Sequence, residues 1–273
     1  MKHLIIGGVA GGATAAARIR RLDETADIIV FERGPHISYA NCGLPYHIGG
    51  VIAERHKLLL HTPESFGQRF NIDVRVRQEV VKIDTERKIV TVRPAEGEEY
   101  EESYDRLLLS PGASPVRPPL PGIENEGIFT LRTVEDTDRI KAYVDRADVS
   151  SAVVVGGGFI GLEMAENLRK AGLHVTVVEA ADQVMAPLDF SMASFVHREL
   201  LEQGVELYLE QGVTHFDRAD DGLGVHLNDG TRLSADLVLL SIGVRPETQL
   251  AAAAGLELGE RGIRVDAFLR TSA

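Results

Sequence analysis

Two stretches of the chain share one plan. Lys2 to Arg33 reads KHLIIGGVAGGATAAARIRRLDETADIIVFER, and Ser151 to Ala180 reads SAVVVGGGFIGLEMAENLRKAGLHVTVVEA. Each runs from an apolar strand through a glycine cluster, an Ala/Leu/Arg-rich helix and a second apolar strand to an acidic residue, Glu32 or Glu179. Each also has a later counterpart: DRLLLSPG from Asp105 to Gly112 matches DLVLLSIG from Asp236 to Gly243. A short apolar run closed by a glycine turn is the pattern of a buried parallel strand. What repeats is a whole domain, not a solenoid unit. The expected fold class is therefore α/β, with two tandem Rossmann-like, doubly wound domains. The first covers 1–114 and continues, incomplete, at 245–273; the second covers 115–244.

The glycines have a mechanism. Gly156-Gly157-Gly158-Phe159-Ile160-Gly161 is a full G-x-G-x-x-G between a strand and a helix, where a pyrophosphate can meet backbone N–H groups and the positive end of the helix dipole. Glu179 follows about 20 residues on, where a carboxylate can accept a hydrogen bond from a ribose 2′-OH. The first copy keeps Gly7 and Gly12 but has Val9 at the central position. One such motif is weak evidence, since a tight strand-to-helix turn also needs glycine. Two copies, each with an acid at the right offset and a matching later strand, point to two dinucleotides.

Between the repeats, Asp73 to Tyr104 alternates apolar and polar residues, the pattern of a small antiparallel β-meander. Pro111, Pro115, Pro118, Pro119 and Pro121 then punctuate a crossing between two compact units. The net charge of −12 argues against a nucleic-acid partner. No apolar run nears the roughly 20 residues that cross a bilayer, so no membrane association is expected. Nine scattered histidines lack ligand spacing, and no metal site is expected. A single cysteine forms no internal disulfide, which suits a reducing compartment, and the expected location is cytoplasmic.

That cysteine, Cys42, sits in SYANCGLPY at 38–46. An isolated thiol is often a small buried hydrophobe. Here Ser38, Asn41, Gly43 and Pro45 make a polar turn, and Pro45 suits the first turn of a short helix ending near Gly49-Gly50. A thiolate at a helix N-terminus is stabilised, which favours a nucleophilic reading.

The chain resembles the flavin-dependent pyridine nucleotide-disulfide oxidoreductases through both glycine motifs, LLLSPGASP at 107–115 and LLSIGVRPE at 239–247. GGVAGGAT at 7–14 and SYANCGLPY are most similar to the coenzyme A-disulfide reductase subfamily, where valine is common at the position of Val9. The resemblance implies FAD in the first domain, at Gly7, Gly11, Gly12, Glu32, Arg33 and Gly112. It implies NADH, in preference to NADPH, in the second, at Gly156, Gly158, Gly161, Glu179 and Gly243. Relatives with two cysteines cycle an internal disulfide. With one, the resemblance implies that Cys42 takes its second sulfur from the substrate as a mixed disulfide with coenzyme A, during reduction of CoA disulfide or a CoA persulfide.

Ser38 and Asn41 are candidates to position the pantetheine arm, although plain turn chemistry explains them equally well. Arg21, three residues after Arg18 on one helix face, is a candidate for the CoA phosphates; a solvated surface face is the alternative. An NADH oxidase or peroxidase would cycle Cys42 through sulfenic acid. That branch typically carries histidine at the position of Ala10. A non-catalytic, nucleotide-binding redox sensor is a reading of another class. Family members continue beyond the position of Ala273 into a further flavin-binding segment and a dimerisation domain, and some into a rhodanese domain. The sequence is thus expected to be an N-terminal portion, lacking the dimerisation domain of a homodimer and inactive as a reductase by itself.

Overall fold

The structure, a computed structural model, describes residues 1–220 and 222–273. From the N-terminus the elements are β1 (Lys2–Ile6), α1 (Ala10–Leu22), β2 (Asp27–Glu32), α2 (Leu44–Ile48), α3 (Pro63–Phe70), β3 (Asp73–Val76), β4 (Gln78–Asp84), β5 (Ile89–Pro94), β6 (Tyr100–Ser103), β7 (Arg106–Leu109) and the short β8 (Ala113–Pro115). The second half holds β9 (Ile128–Phe129), α4 (Val134–Val144), β10 (Ser151–Val155), α5 (Phe159–Lys170), β11 (His174–Val178), α6 (Phe190–Glu202), β12 (Val205–Tyr208), β13 (Val213–Ala219), β14 (Gly222–Leu227), β15 (Arg232–Ala235), β16 (Leu237–Leu240) and α7 (Gln249–Ala253). Contacts divide the chain into two compact units, one of Met1–Ala40, Leu59–Ser114 and Pro246–Ala273, the other of Asn41–Leu58 and Pro115–Arg245.

In the first unit a parallel sheet has the order β3-β2-β1-β7. Alternate residues of β1 and β2 point to opposite faces, so each strand must be apolar on both sides. Ile5, Ile28 and Val30 face α1, whose buried contact residues Ala13, Ala16 and Ala17 are small and let its N-terminal half lie close to the sheet, with the partly buried Ile19 packed on the same cluster. Leu4, Ile6, Ile29 and Phe31 face the other way and are covered by Val80, Ile83, Val90 and Val92. Those four come from an antiparallel meander, β4-β5-β6. Burying each such aliphatic side chain contributes roughly 1.5–3 kcal/mol.

The meander is shorter than its alternation suggests. Asp73–Val76 pairs parallel to β2, with Ile29 opposite Asp73 and Glu32 opposite Val76, and so belongs to the main sheet. Arg77, at φ +54°, makes the break before β4. Period-two alternation identifies a half-buried strand but says nothing about its partner. Val74 and Val76 find theirs in the cluster under α1.

The second unit repeats the design. Its parallel sheet runs β12-β11-β10-β16-β9, and an antiparallel meander, β13-β14-β15, accompanies it. Val153, Val155, Val178, Val238 and Leu240 pack against Phe216, Leu223, Val225 and Leu227 of that meander. The duplication thus includes a second meander. Asn41–Leu58 groups with this second unit, where α2 packs on α4 and α5.

Candidate nucleotide loops and the cysteine turn

At the end of β1, Gly7 holds φ +96°, and a Cβ there would lie 2.0 Å from the Ser110 carbonyl oxygen. Gly156 repeats this at φ +107°, 2.5 Å from the Ser241 carbonyl oxygen. Both positions need glycine for backbone conformation and for space. The last glycines have a different reason. A Cβ on Gly12 would meet the Gly7 carbonyl oxygen at 1.7 Å, and one on Gly161 would meet that of Gly156 at 1.9 Å. Only a bare Cα lets each helix start this close to its strand.

The two acids do something the motif spacing does not reveal. Glu32 accepts hydrogen bonds from the Gly8 and Gly34 N–H groups, both at 2.8 Å. Glu179 accepts from the Gly157 N–H at 2.6 Å and the Ala181 N–H at 2.8 Å. Each carboxylate therefore ties its glycine loop to the turn that follows the second strand. A carboxylate has about four acceptor sites, so two such bonds leave capacity for a ribose hydroxyl.

Ser241 was not singled out from sequence. Its hydroxyl is within 3.0 Å of both the Val155 and Gly156 carbonyl oxygens and donates toward them. The signal was present in the matched LLLSPG and LLSIG runs, where Ser110 and Ser241 coincide. His197 of α6 was missed as well. Its Nε2 accepts from the Val184 N–H at 3.1 Å, and the next N–H, of Met185, donates to the Gly157 carbonyl at 2.9 Å. One helix farther on thus braces the segment that closes over the second glycine loop. Glu163, within α5, has its carboxyl pushed above the usual range by burial and then by the nearby Glu166.

The requirements of a diphosphate are met in both loops. Helices α1 and α5 begin after Val9 and Gly158, and neither position makes a side-chain cap. Their first N–H groups are left for an anion by every side chain at the cap. At Gly158 an added Cβ meets nothing within 4 Å. Gly158→Ala is therefore expected to keep the fold, with a thermal midpoint within a few degrees of wild type. If this loop holds the NADH pyrophosphate, the methyl group would stand in its approach and KM for NADH should rise several-fold; steady-state kinetics with a melting curve checks both. Gly112 and Gly243 lie at φ +78° and φ +109°, closing β7 and β16.

Other expected site residues fall as follows. Arg33 is ion-paired with Glu247 at 3.4 Å, and Ser114 also donates to that carboxylate. Arg18 and Arg21 are exposed on α1. Ser38 holds φ +46° and its N–H donates to the Gly8 carbonyl at 3.0 Å, tying residue 38 to the first glycine loop within the first unit. Asn41 and Cys42 are exposed in a single 3-10 turn, Asn41–Gly43, that leads directly into α2. Pro45 lies in the first turn of that helix, and Leu44, Pro45, His47 and Ile48 are buried. His47 Nδ1–H donates to the Ile52 carbonyl at 2.6 Å, closing the chain behind the helix. A free thiol is thus displayed at the front of a helix whose body is buried. The first unit carries Gly7, Gly11, Gly12, Glu32, Arg33, Ser38 and Gly112; the second carries Asn41, Cys42, Gly156, Gly158, Gly161, Glu179 and Gly243. Among the described residues no cluster of His, Cys, Asp and Glu could hold a metal ion, and no helix is long and apolar enough to cross a membrane.

The sequence profile of the family described as pyridine nucleotide-disulphide oxidoreductase matches residues 1–273. The chain belongs to this family. Among curated members, the coenzyme A disulfide reductase of Staphylococcus aureus strain JH9 is 37% identical over 262 residues, which are 96% of this chain and 58% of that protein. Among solved members, reduced Bacillus anthracis CoADR-RHD superposes with a TM-score of 0.96 at 53% identity, covering 99% of this chain and 49% of the other. An NAD-dependent persulfide reductase from A. fulgidus gives 0.95 at 39% identity, with 100% and 52% coverage. The chain spans about half the length of these family members.

Proposed function

We propose that the full-length protein is an FAD- and NADH-dependent reductase that cleaves CoA disulfide, or a CoA persulfide, through a mixed disulfide at Cys42. The observation that carries this reading is the single thiol, exposed at the front of α2 with no second cysteine in the chain to resolve it. The names of the coenzyme A disulfide reductase and persulfide reductase relatives support the substrate class.

Gly7 to Gly12 with Glu32 would hold the FAD diphosphate and adenosine ribose, and Gly156 to Gly161 with Glu179 would hold NADH. FAD, when bound, supplies two-electron transfer between a nicotinamide and a disulfide. Cys42, as thiolate, attacks one sulfur of CoA disulfide, forming a Cys42–CoA disulfide and releasing one CoA thiolate. With CoA persulfide the same attack at the CoA-bound sulfur releases hydrosulfide. In net terms one NADH, one proton and one CoA disulfide become NAD⁺ and two CoA thiols, so electrons and protons balance. Ser38 and Asn41 are placed in this reading along the pantetheine arm, and Arg21 at the CoA phosphates.

NADH is preferred because Glu179 would repel a 2′-phosphate, and Ala180-Ala181-Asp182-Gln183 offers no basic residue to receive one. kcat/KM for NADH should exceed that for NADPH by at least ~10-fold, which is about 1.4 kcal/mol of differential binding. A higher value with NADPH would remove Glu179 from the ribose. The reading as a whole is tested by NADH oxidation by the full-length protein in the presence of CoA disulfide, with release of two thiols per NADH as the expected stoichiometry.

A further inference from the structure

Helix α2 is only five residues long and does not hold its conformation unaided. What anchors the cysteine turn must lie in its neighbours. Gly49, which ends the helix, has φ −75° and ψ −1°, an ordinary right-handed conformation open to any residue. Backbone freedom does not explain a glycine here. Space does: an added Cβ would lie 2.4 Å from Asn167 Oδ1 and 2.7 Å from Asn167 Cβ.

Asn167 lies inside α5 with no exposed surface. Its Nδ2 donates to the Glu163 carbonyl at 2.7 Å, while Oδ1 is buried without a hydrogen-bond partner among the described residues. A buried amide oxygen left unpaired is costly, and an apolar side chain would fill a helix–helix contact without that cost. The amide is aimed at Gly49. A second tie lies farther along the same segment, where Arg55 makes a two-pronged contact with Asp138 of α4, at 2.7 and 2.6 Å. The segment is therefore packed tightly on α5 at residue 49 and ion-paired to α4 at residue 55. Helix α5 begins at Phe159, directly after Gly158 of the second glycine loop.

We propose that Asn167, seated against Gly49, is a positioning residue that fixes the Cys42 turn to the helix leading out of the second glycine loop, so that thiol and loop move as one body. The inference rests on the reading of Cys42 as the reactive thiol. It predicts a size-complementary pair.

Gly49→Ala should lower kcat for CoA-disulfide reduction at least tenfold while leaving KM for NADH within twofold. After reduction with dithiothreitol and removal of the reductant, it should also speed iodoacetamide alkylation of Cys42, the only cysteine in the chain, by threefold or more. Asn167→Ala should cause a smaller shift in the same directions. Gly49→Ala with Asn167→Ala, which returns the lost volume to the contact, should recover both readouts to within threefold of wild type. Wild-type behaviour of Gly49→Ala, equal loss of NADH binding, or a double variant no better than Gly49→Ala would overturn the proposal. Should Gly49→Ala fail to fold, recovery of folding in the double variant is the required result, and its absence is contrary. The alkylation arm needs no CoA disulfide. If wild type does not reduce that substrate, the proposed function fails while the pairing of Gly49 with Asn167 is still decided.

Discussion

In the full-length protein Cys42→Ser is expected to lose NADH-dependent CoA-disulfide reduction by at least ~10³-fold, because a hydroxyl does not take part in thiol–disulfide exchange. The same substitution should barely affect stability. Cys42 is exposed, its turn makes no demand that serine fails, and exposed substitutions of this kind shift stability by about 0.5 kcal/mol or less. Nucleotide binding should also persist, because neither glycine loop contains the cysteine. Thiol release assayed beside a denaturant titration separates the two effects. A serine variant with wild-type turnover would remove the thiol from the reaction.

The second large effect divides the molecule by cofactor. Gly12→Ala would drive a methyl group to 1.7 Å from the Gly7 carbonyl oxygen, and Gly161→Ala to 1.9 Å from that of Gly156. In both the obstacle is backbone, which does not swing aside, so the strand-to-helix turn must open. Overpacking of this sort costs about 1–3 kcal/mol and sometimes more. Gly12→Ala should purify with little flavin absorbance. Gly161→Ala should keep its flavin colour but require at least ~10-fold more NADH to bleach it. The contrast with Gly158→Ala, where the added methyl group enters open space, tells a blocked turn from a blocked phosphate. If Gly161→Ala and Gly158→Ala were equally mild, the steric account of the second loop would be wrong.

These glycines show why the fold was readable. Gly12 and Gly161 are fixed by contacts five residues back, and Gly7 and Gly156 by their own positive φ; such local constraints leave their mark in spacing, whereas the close approach of Gly7 to Ser110 and of Gly156 to Ser241 does not. The apolar strands on either side are fixed by burial on both faces, which leaves continuous runs. The second meander was harder. VTHFDRA and RLSA show little apolar alternation, because only Phe216 in the first and Ala235 in the second are buried. The partner of Asp73–Val76 was invisible for the reason that strand identity is local and strand pairing is not.

The same distinction runs through the site. Cys42, Asn41 and the front of α2 were legible because proline and glycine mark the turn. That Asn41–Leu58 groups with the second unit was not, since it depends on contacts with α4 and α5 more than 80 residues away, such as the Arg55–Asp138 pair with its separation of 83. Glu32 and Glu179 were found by their offset and expected at a ribose. Their hydrogen bonds to Gly8, Gly34, Gly157 and Ala181 add a structural duty that spacing alone does not carry. An acid-to-alanine variant at either position would therefore disturb the loop as well as any ribose contact. A drop in nucleotide affinity there should come with a lowered thermal midpoint.

In the proposed resting state the Cys42 sulfur is joined to coenzyme A. A thiolate with no second cysteine in the chain to displace its partner remains capped until electrons arrive. Intact-protein mass spectrometry of the protein purified without reductant, before and after NADH, reads this directly. One CoA per chain, located at Cys42 and released by NADH or by dithiothreitol, is the predicted result. A bare thiol under those conditions, or a sulfenic acid in place of the adduct, would contradict it.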